Sequence, residues 1–308
     1  MMKPPRLPQL LLLSLLIVLA FPSQTTAQKP CSGCVFRFVV YGDTRNDILG
    51  DDGDKIHAGI VAEVIKYKPA LVLQTGDLVL NAGNTKQWAK FDQIIAPFKA
   101  NGIAYFPARG NHDNNSNGEY QKRVTEPFRP GGNPLYYAFD RGNVRFIAID
   151  TETKIVAGKA GKPGSAQYEW LKNELATAKA EQRVIIPFFH KGIYSVGAKH
   201  GSDTNLRAVI EPLFHEAGVK LVFQGHDHIY YHTKRGDIVY VVAGGGGAPL
   251  YDLKKNEEIT GDQAQKANNF LVCDVYPNRI EVTTYISRKP LEGGVYIQFE
   301  QFIVNVTQ

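Results

Sequence analysis

The chain has 308 residues with 35 basic and 30 acidic side chains, a formal charge of +5. So mild an excess argues neither for nor against nucleic acid, and no nucleic-acid partner is evident. No low-complexity tract or internal repeat interrupts the sequence, and its length suffices for one large α/β core.

The first residues read as a targeting segment. Lys3 and Arg6 precede an apolar run from Leu10 to Ala20, and Thr25-Thr26-Ala27 offers small side chains for cleavage. The run is well short of the roughly 20 residues that span a bilayer. Residues 1–27 are therefore expected to be a signal peptide, and 28–308 a single domain, secreted or periplasmic, with no membrane span after cleavage. Cys31 and Cys34 form CSGC; a disulfide is expected in an oxidising compartment, with a redox pair or half a zinc site as alternatives. Cys273, in FLVCDVY, is expected to pack as a small hydrophobe.

From there the chain repeats one device, a short apolar run followed by a polar turn. FRFVVY leads into GDTR, ALVLQT into GDLV, IAYFPA into RGNHD, VRFIAI into DTET, VIIPFF into HKG, and LVFQ into GHDH. Helical patterns fall between them at His57–Tyr67, Gln87–Phe98, Gln167–Lys179 and Asn205–Ala217. Beyond Asp237 the pattern is strand-rich without helices. This order predicts two mixed sheets packed face to face with helices outside.

The turns deliver Asp43, Asp77, Asn111 with His112 and Asp113, His190, His226 and His228. Any one of these has an ordinary reading as a turn residue or a core histidine. Together, each at a strand end, they read as metal ligands. His57, His200 and His215 lie in helical or loop segments outside that context, and His232 is offset from it. Carboxylate, imidazole and amide donors suit Mn, Fe or Zn. Six such donors fit two divalent or trivalent ions sharing one carboxylate, roughly 3.5–4 Å apart, a centre suited to hydrolysing a small-molecule phosphate ester.

The ordered series GDTR, TGDLV, RGNHD, FFHKG and GHDH resembles the calcineurin-like metallophosphoesterase superfamily, with a purple-acid-phosphatase-like branch among the options. The resemblance implies an α/β fold, a four-layer αββα sandwich of two mixed β-sheets flanked by helices. It implies that Asp77 bridges two ions, that Asn111, His190 and His226 complete one site, and that Asp43 and His228 belong to the other. It also implies that His112 is catalytic. Two positions depart from the pattern: Arg45 stands where many members have a metal-binding His, and Leu80 where others have Asp or Tyr. Arg45 is expected to contact phosphate, with a salt bridge to Asp47 or Asp51 as its alternative. Leu80 is expected to leave His112 without an acidic partner. GGGG at 244–247 is expected to form a loop near the site. NDILGDDGDK, SNGEYQKRVTEPFRPGGNP (with Tyr120, Phe128 and Arg129) and SVGAKHGSDTN are expected to border the pocket. The rival reading is a catalytically weak phosphate- or metal-binding protein that keeps the fold with a depleted first site.

Overall fold

In Phe36–Tyr41 (β1), FRFVVY, the two-residue period of a strand sends alternate side chains to opposite faces. Phe36, Phe38 and Val40 enter one apolar layer, and Val39 and Tyr41 enter another. With both faces covered, β1 is a central strand. The structure, a computed structural model, describes residues 31, 33–46, 52–114, 118–159, 162–254, 261–291 and 294–306. The expected signal at 1–27 lies outside the described residues.

After β1 come α1 (Asp52–Lys66), β2 (Leu71–Gln74), α2 (Thr85–Ala100) and β3 (Ala104–Pro107). Next are β4 (Tyr137–Arg141), β5 (Val144–Ile149), α3 (Ala166–Ala180), β6 (Val184–Lys191), α4 (Thr204–Ala217) and β7 (Leu221–Gly225). The rest is strand: β8 (Tyr230–Arg235), β9 (Ile238–Ala243), β10 (Gln263–Gln265), β11 (Asn268–Val275), β12 (Arg279–Ser287) and β13 (Ile297–Asn305). One sheet runs β13-β12-β11-β1-β2-β3 and the other β10-β8-β9-β7-β6-β5-β4. Both are mixed, with β1, β2 and β3 parallel in the first and β5, β6, β7 and β9 parallel in the second.

Phe38, Phe106, Phe146, Phe188, Phe223 and Leu271 fill the layer between the sheets, with Cys273 buried among them as expected. Ile60, Val64, Ile94 and Phe98 of α1 and α2 cover the outer face of the first sheet. Leu171, Leu175, Ile210 and Phe214 of α3 and α4 cover that of the second. The fold is the four-layer αββα sandwich. Cys31 and Cys34 are joined as a disulfide.

All four helices begin before the expected residue, because apolar spacing marks a buried face and not the cap. Asn84 Oδ1 accepts from Lys86 N at 3.0 Å, and Asp203 Oδ1 accepts from Leu206 N at 2.9 Å, each closing a first turn that carries little apolar signal. One expectation about the pocket border fails for a similar reason. Tyr120 is buried with its hydroxyl on Pro107 O at 2.7 Å, and Arg129 pairs with Glu174 at 2.8 Å, so both hold the scaffold together.

His57 on α1 also belongs to the scaffold. It is buried beside the Tyr41 hydroxyl, 3.1 Å from Nε2. Burial lowers its pKa from 6.5 to about 3. Its contribution to stability is therefore full above the unfolded-state value and is lost as pH falls between those two values, where only the unfolded chain takes up the proton. The slope from this residue is about 1.4 kcal/mol per pH unit. Urea melts of His57→Gln between pH 7 and pH 4 should show a shallower acid loss than wild type by that amount. Equal slopes would mean that His57 protonates as readily folded as unfolded.

Candidate metal centre

The turns after β1 and β2 interlock. Asp43 N donates to Gly76 O at 2.9 Å, and Thr44 N and Arg45 N both donate to Asp77 O at 3.0 Å. Asp43, Asp77 and His226 have φ of 57°, 56° and 73°, a left-handed conformation that costs a non-glycine residue about 1 kcal/mol or more. Strain gathered at three strand ends is the mark of a site held in shape by its surroundings. The RGNHD turn after β3 lies directly against Asp77, since a Cβ on Gly110 would run into the Asp77 amide. Asp113 locks the two turns together, accepting from Leu78 N at 2.8 Å and Gly110 N at 2.9 Å.

One group of donors centres on His190. Its Nδ1 donates to the Thr75 carbonyl at 2.9 Å, and burial lowers its pKa to about 3, so the ring is neutral and Nε2 carries a bare lone pair. That lone pair faces Asp77 Oδ1 at 3.3 Å, Asn111 Oδ1 at 3.1 Å and His226 Nδ1 at 3.0 Å. A carboxylate oxygen and an amide oxygen cannot satisfy it. In one tautomer His226 Nδ1 donates to it; in the other, all four atoms are acceptors that repel one another unless a cation lies among them.

The second group shares Asp77. Asp43, Asp77 and His228 each present a ligand atom within 4.8 Å of the others. His228 Nδ1 donates to Pro249 O at 2.7 Å, leaving Nε2 turned to Asp43 Oδ1 at 3.5 Å. Asp43 Oδ1 is buried and has no hydrogen-bond partner. Burial and then the Asp77 charge push the Asp43 carboxyl well up from its usual range, and burial raises Asp77 as well. Two carboxylates paired with two bare imidazole nitrogens fit borderline cations in both groups.

His112 stands beside these groups with its side chain 31% exposed. Its backbone N donates to Asp77 Oδ1 at 2.9 Å, and its Nε2 is 3.9 Å from Asp77 Oδ2. It forms part of the wall of a cleft of about 600 Å³, with Leu80, Ala82, Gln87, Asn111 and Asn114. Leu80 does not leave the ring unsupported, as its side chain had implied. The Leu80 carbonyl accepts from His112 Nδ1 at 2.7 Å, so the backbone supplies the orienting group.

Arg45 turns inward: its Nε is 3.5 Å from Asp77 Oδ2, and its Nη2 donates to the Tyr251 hydroxyl at 3.3 Å. Asp47 and Asp51, its alternative partners, lie outside the described residues. The glycine loop does approach the site, with Gly246 N donating to Gly42 O at 2.7 Å and Ala248 N to Asp43 O at 2.9 Å.

Three residues here were not anticipated. His200, set aside as a ligand although its segment SVGAKHGSDTN was expected to border the pocket, stacks on His226 with ring centroids 3.8 Å apart. Tyr251 stacks on His228 at 4.0 Å. The Asp227 carboxylate accepts from Ser195 Oγ at 2.6 Å, His200 N at 3.2 Å and Gly201 N at 2.8 Å, tying the loop after β6 to the site. Asp227 could have been found from its place between the two histidines of GHDH; Tyr251 carried no local signal. The other histidines are elsewhere: His232 on β8 pairs with Glu300 at 3.1 Å, and His215 lies on α4.

The family model for calcineurin-like phosphoesterases matches residues 36–230. The chain belongs to this family. Among its relatives, purple acid phosphatase 18 of Arabidopsis thaliana is 29% identical over 179 residues, covering 54% of this chain and 39% of the relative. Acid phosphatase type 7 of Mus musculus is 27% identical over 212 residues, covering 63% and 46%. The chain spans about half the length of the curated relatives it matches. Among solved structures, the purple acid phosphatase PPD1 from yellow lupin superposes with a TM-score of 0.69 at 20% identity, covering 91% of this chain and 55% of that one. GAP50, described as the anchor in the inner membrane complex of Plasmodium, has a TM-score of 0.67 at 19% identity, covering 89% and 90%. Likeness at that level is likeness of fold.

Proposed function

We propose that this protein is a secreted phosphoesterase that hydrolyses phosphate mono- or diesters at a metal centre. Asp77, Asn111, His190 and His226 would hold one ion, and Asp43, Asp77 and His228 the other. The observation that carries the reading is the set of bare acceptors around Asp77 with His112 at its edge. Ions bound there would supply positive charge to a phosphoryl oxygen and make a water acidic enough to attack.

The protein's own part is positioning. Asp113 and Gly110 hold the RGNHD turn so that His112 Nε2 opens to the cleft while its Nδ1 stays on the Leu80 carbonyl. From that place Nε2 can donate a proton to the departing ester oxygen. The family's acid phosphatases support a hydrolase, as their names state that activity. The signal-like start at 1–27 supports secretion, and among the described residues no helix is long and apolar enough to cross a membrane.

A second reading, a binding protein that keeps the fold, is favoured by one observation. The Asp43 side of the centre offers three donors and faces Arg45. Assays of p-nitrophenyl phosphate and its bis-ester with Mn, Fe, Zn and Mg separate the two readings. Metal-dependent turnover that EDTA abolishes is expected. Metal binding without turnover of any ester would favour the binding protein.

A further inference from the structure

We propose that Arg45 makes the two cation pockets unequal: the Asp77–Asn111–His190–His226 pocket holds its ion firmly, and the Asp43–Asp77–His228 pocket takes a second ion only in competition with the guanidinium. This rests on the reading above that both pockets hold cations.

The pockets differ in donors, four against three, and they divide Asp77 between them. Asp77 Oδ1 faces His190 Nε2 at 3.3 Å, while Arg45 Nε approaches Oδ2 at 3.5 Å. The guanidinium thus sits on the carboxylate oxygen left over for the three-donor pocket. The Arg45 side chain is only 10% exposed, and its buried Nε makes no hydrogen bond, so water does little to screen its charge.

The arm is also anchored at its far end. Its Nη2 donates to the Tyr251 hydroxyl, whose ring lies on His228, and Tyr251 N donates to His228 O at 3.1 Å. Lys199 Nζ donates to the same hydroxyl at 3.1 Å, bringing a second protein cation to this side. On the side of the four-donor pocket stands Lys191, next to His190 in sequence, but its Nζ is paired with Glu152 Oε2 at 2.9 Å, so its charge is offset there. Occupancy of the second ion should therefore follow the free metal concentration of the surroundings.

Calorimetric titration of the metal-free full chain with Mn²⁺, together with metal analysis after gel filtration, tests this. Wild type is expected to retain one equivalent and to show two binding events with Kd values at least a hundredfold apart. Arg45→Met should narrow the gap at least tenfold by removing charge, Arg45→His should close it further by adding a nitrogen donor, and Arg45→Lys should leave it open. Two equivalents retained with equal affinity, or a gap that Arg45→Met leaves unchanged, would overturn the proposal. Absence of any Mn²⁺ binding would overturn both the proposal and the reading beneath it. An unequal pair without ester turnover would support the proposal and remove only the hydrolytic reading.

Discussion

Asp77→Asn is expected to lower metal affinity at least a hundredfold and ester turnover at least a thousandfold, about 4 kcal/mol of transition-state stabilisation. The reason is that Asp77 alone belongs to both donor groups. Asparagine keeps the acceptor for His112 N, 2.9 Å from Oδ1, so the RGNHD turn retains its main anchor. Stability should move with opposite sign in the two metal states. Burial raises the Asp77 pKa, so its charge weakens the metal-free fold as pH rises through the raised value, and that penalty is in force at neutral pH. In EDTA at pH 7 the variant should therefore melt no lower than wild type. With Mn²⁺, wild type should gain in Tm and the variant should not. Thermal melts with and without Mn²⁺ check this; a variant that melts lower in EDTA and still gains from Mn²⁺ would make Asp77 a scaffold residue.

His112→Ala is expected to have the second largest effect, a loss of 10²- to 10⁴-fold in kcat, the range typical of removing a general acid, with metal content unchanged. The separation follows from geometry. Nδ1 of His112 is taken up by Leu80 O at 2.7 Å, and Nε2 is 3.9 Å from the nearest Asp77 oxygen, so the ring is beside the donor groups and not within them. Its side chain is partly exposed, so truncation should cost the fold little. Steady-state kinetics paired with metal analysis decide the matter. Wild-type kcat in the variant removes His112 from the chemistry, and loss of metal along with activity would move it among the ligands.

The residues that meet around Asp77 were legible because each follows its own strand. FRFVVY, ALVLQT, IAYFPA, VIIPFF and LVFQ announce themselves by local apolar pattern, and the turn after each supplies a polar side chain. The parallel strands β1, β2 and β3 in one sheet and β6 and β7 in the other bring those ends together. The layers of the fold were legible for the same reason, since strands alternating with helices, followed by an all-strand stretch, already implied two sheets with helices outside.

What stayed hidden acts through the backbone or through distant packing. Leu80 supplies a carbonyl, which side-chain identity does not report, and so the sequence pointed to an unsupported His112. His200 and Tyr251 reach the site because Asp227 holds one loop and the Tyr251 N–H bonds to His228 O. Neither lies at the end of an apolar run. Arg45 was expected to contact phosphate, with Asp47 or Asp51 as its alternative partners; the carboxylate it faces is Asp77, 32 positions away and one strand over. A guanidinium on that carboxylate, and not a missing ligand alone, is what distinguishes the Asp43 side of the centre.

Anomalous diffraction from crystals grown with Mn²⁺, recorded on both sides of the manganese edge, tests the metal centre most directly. A peak among Asp77, Asn111, His190 and His226, bonded to each at about 2.0–2.3 Å, is the predicted result. A map with no peak there while Mn²⁺ is in excess would contradict it.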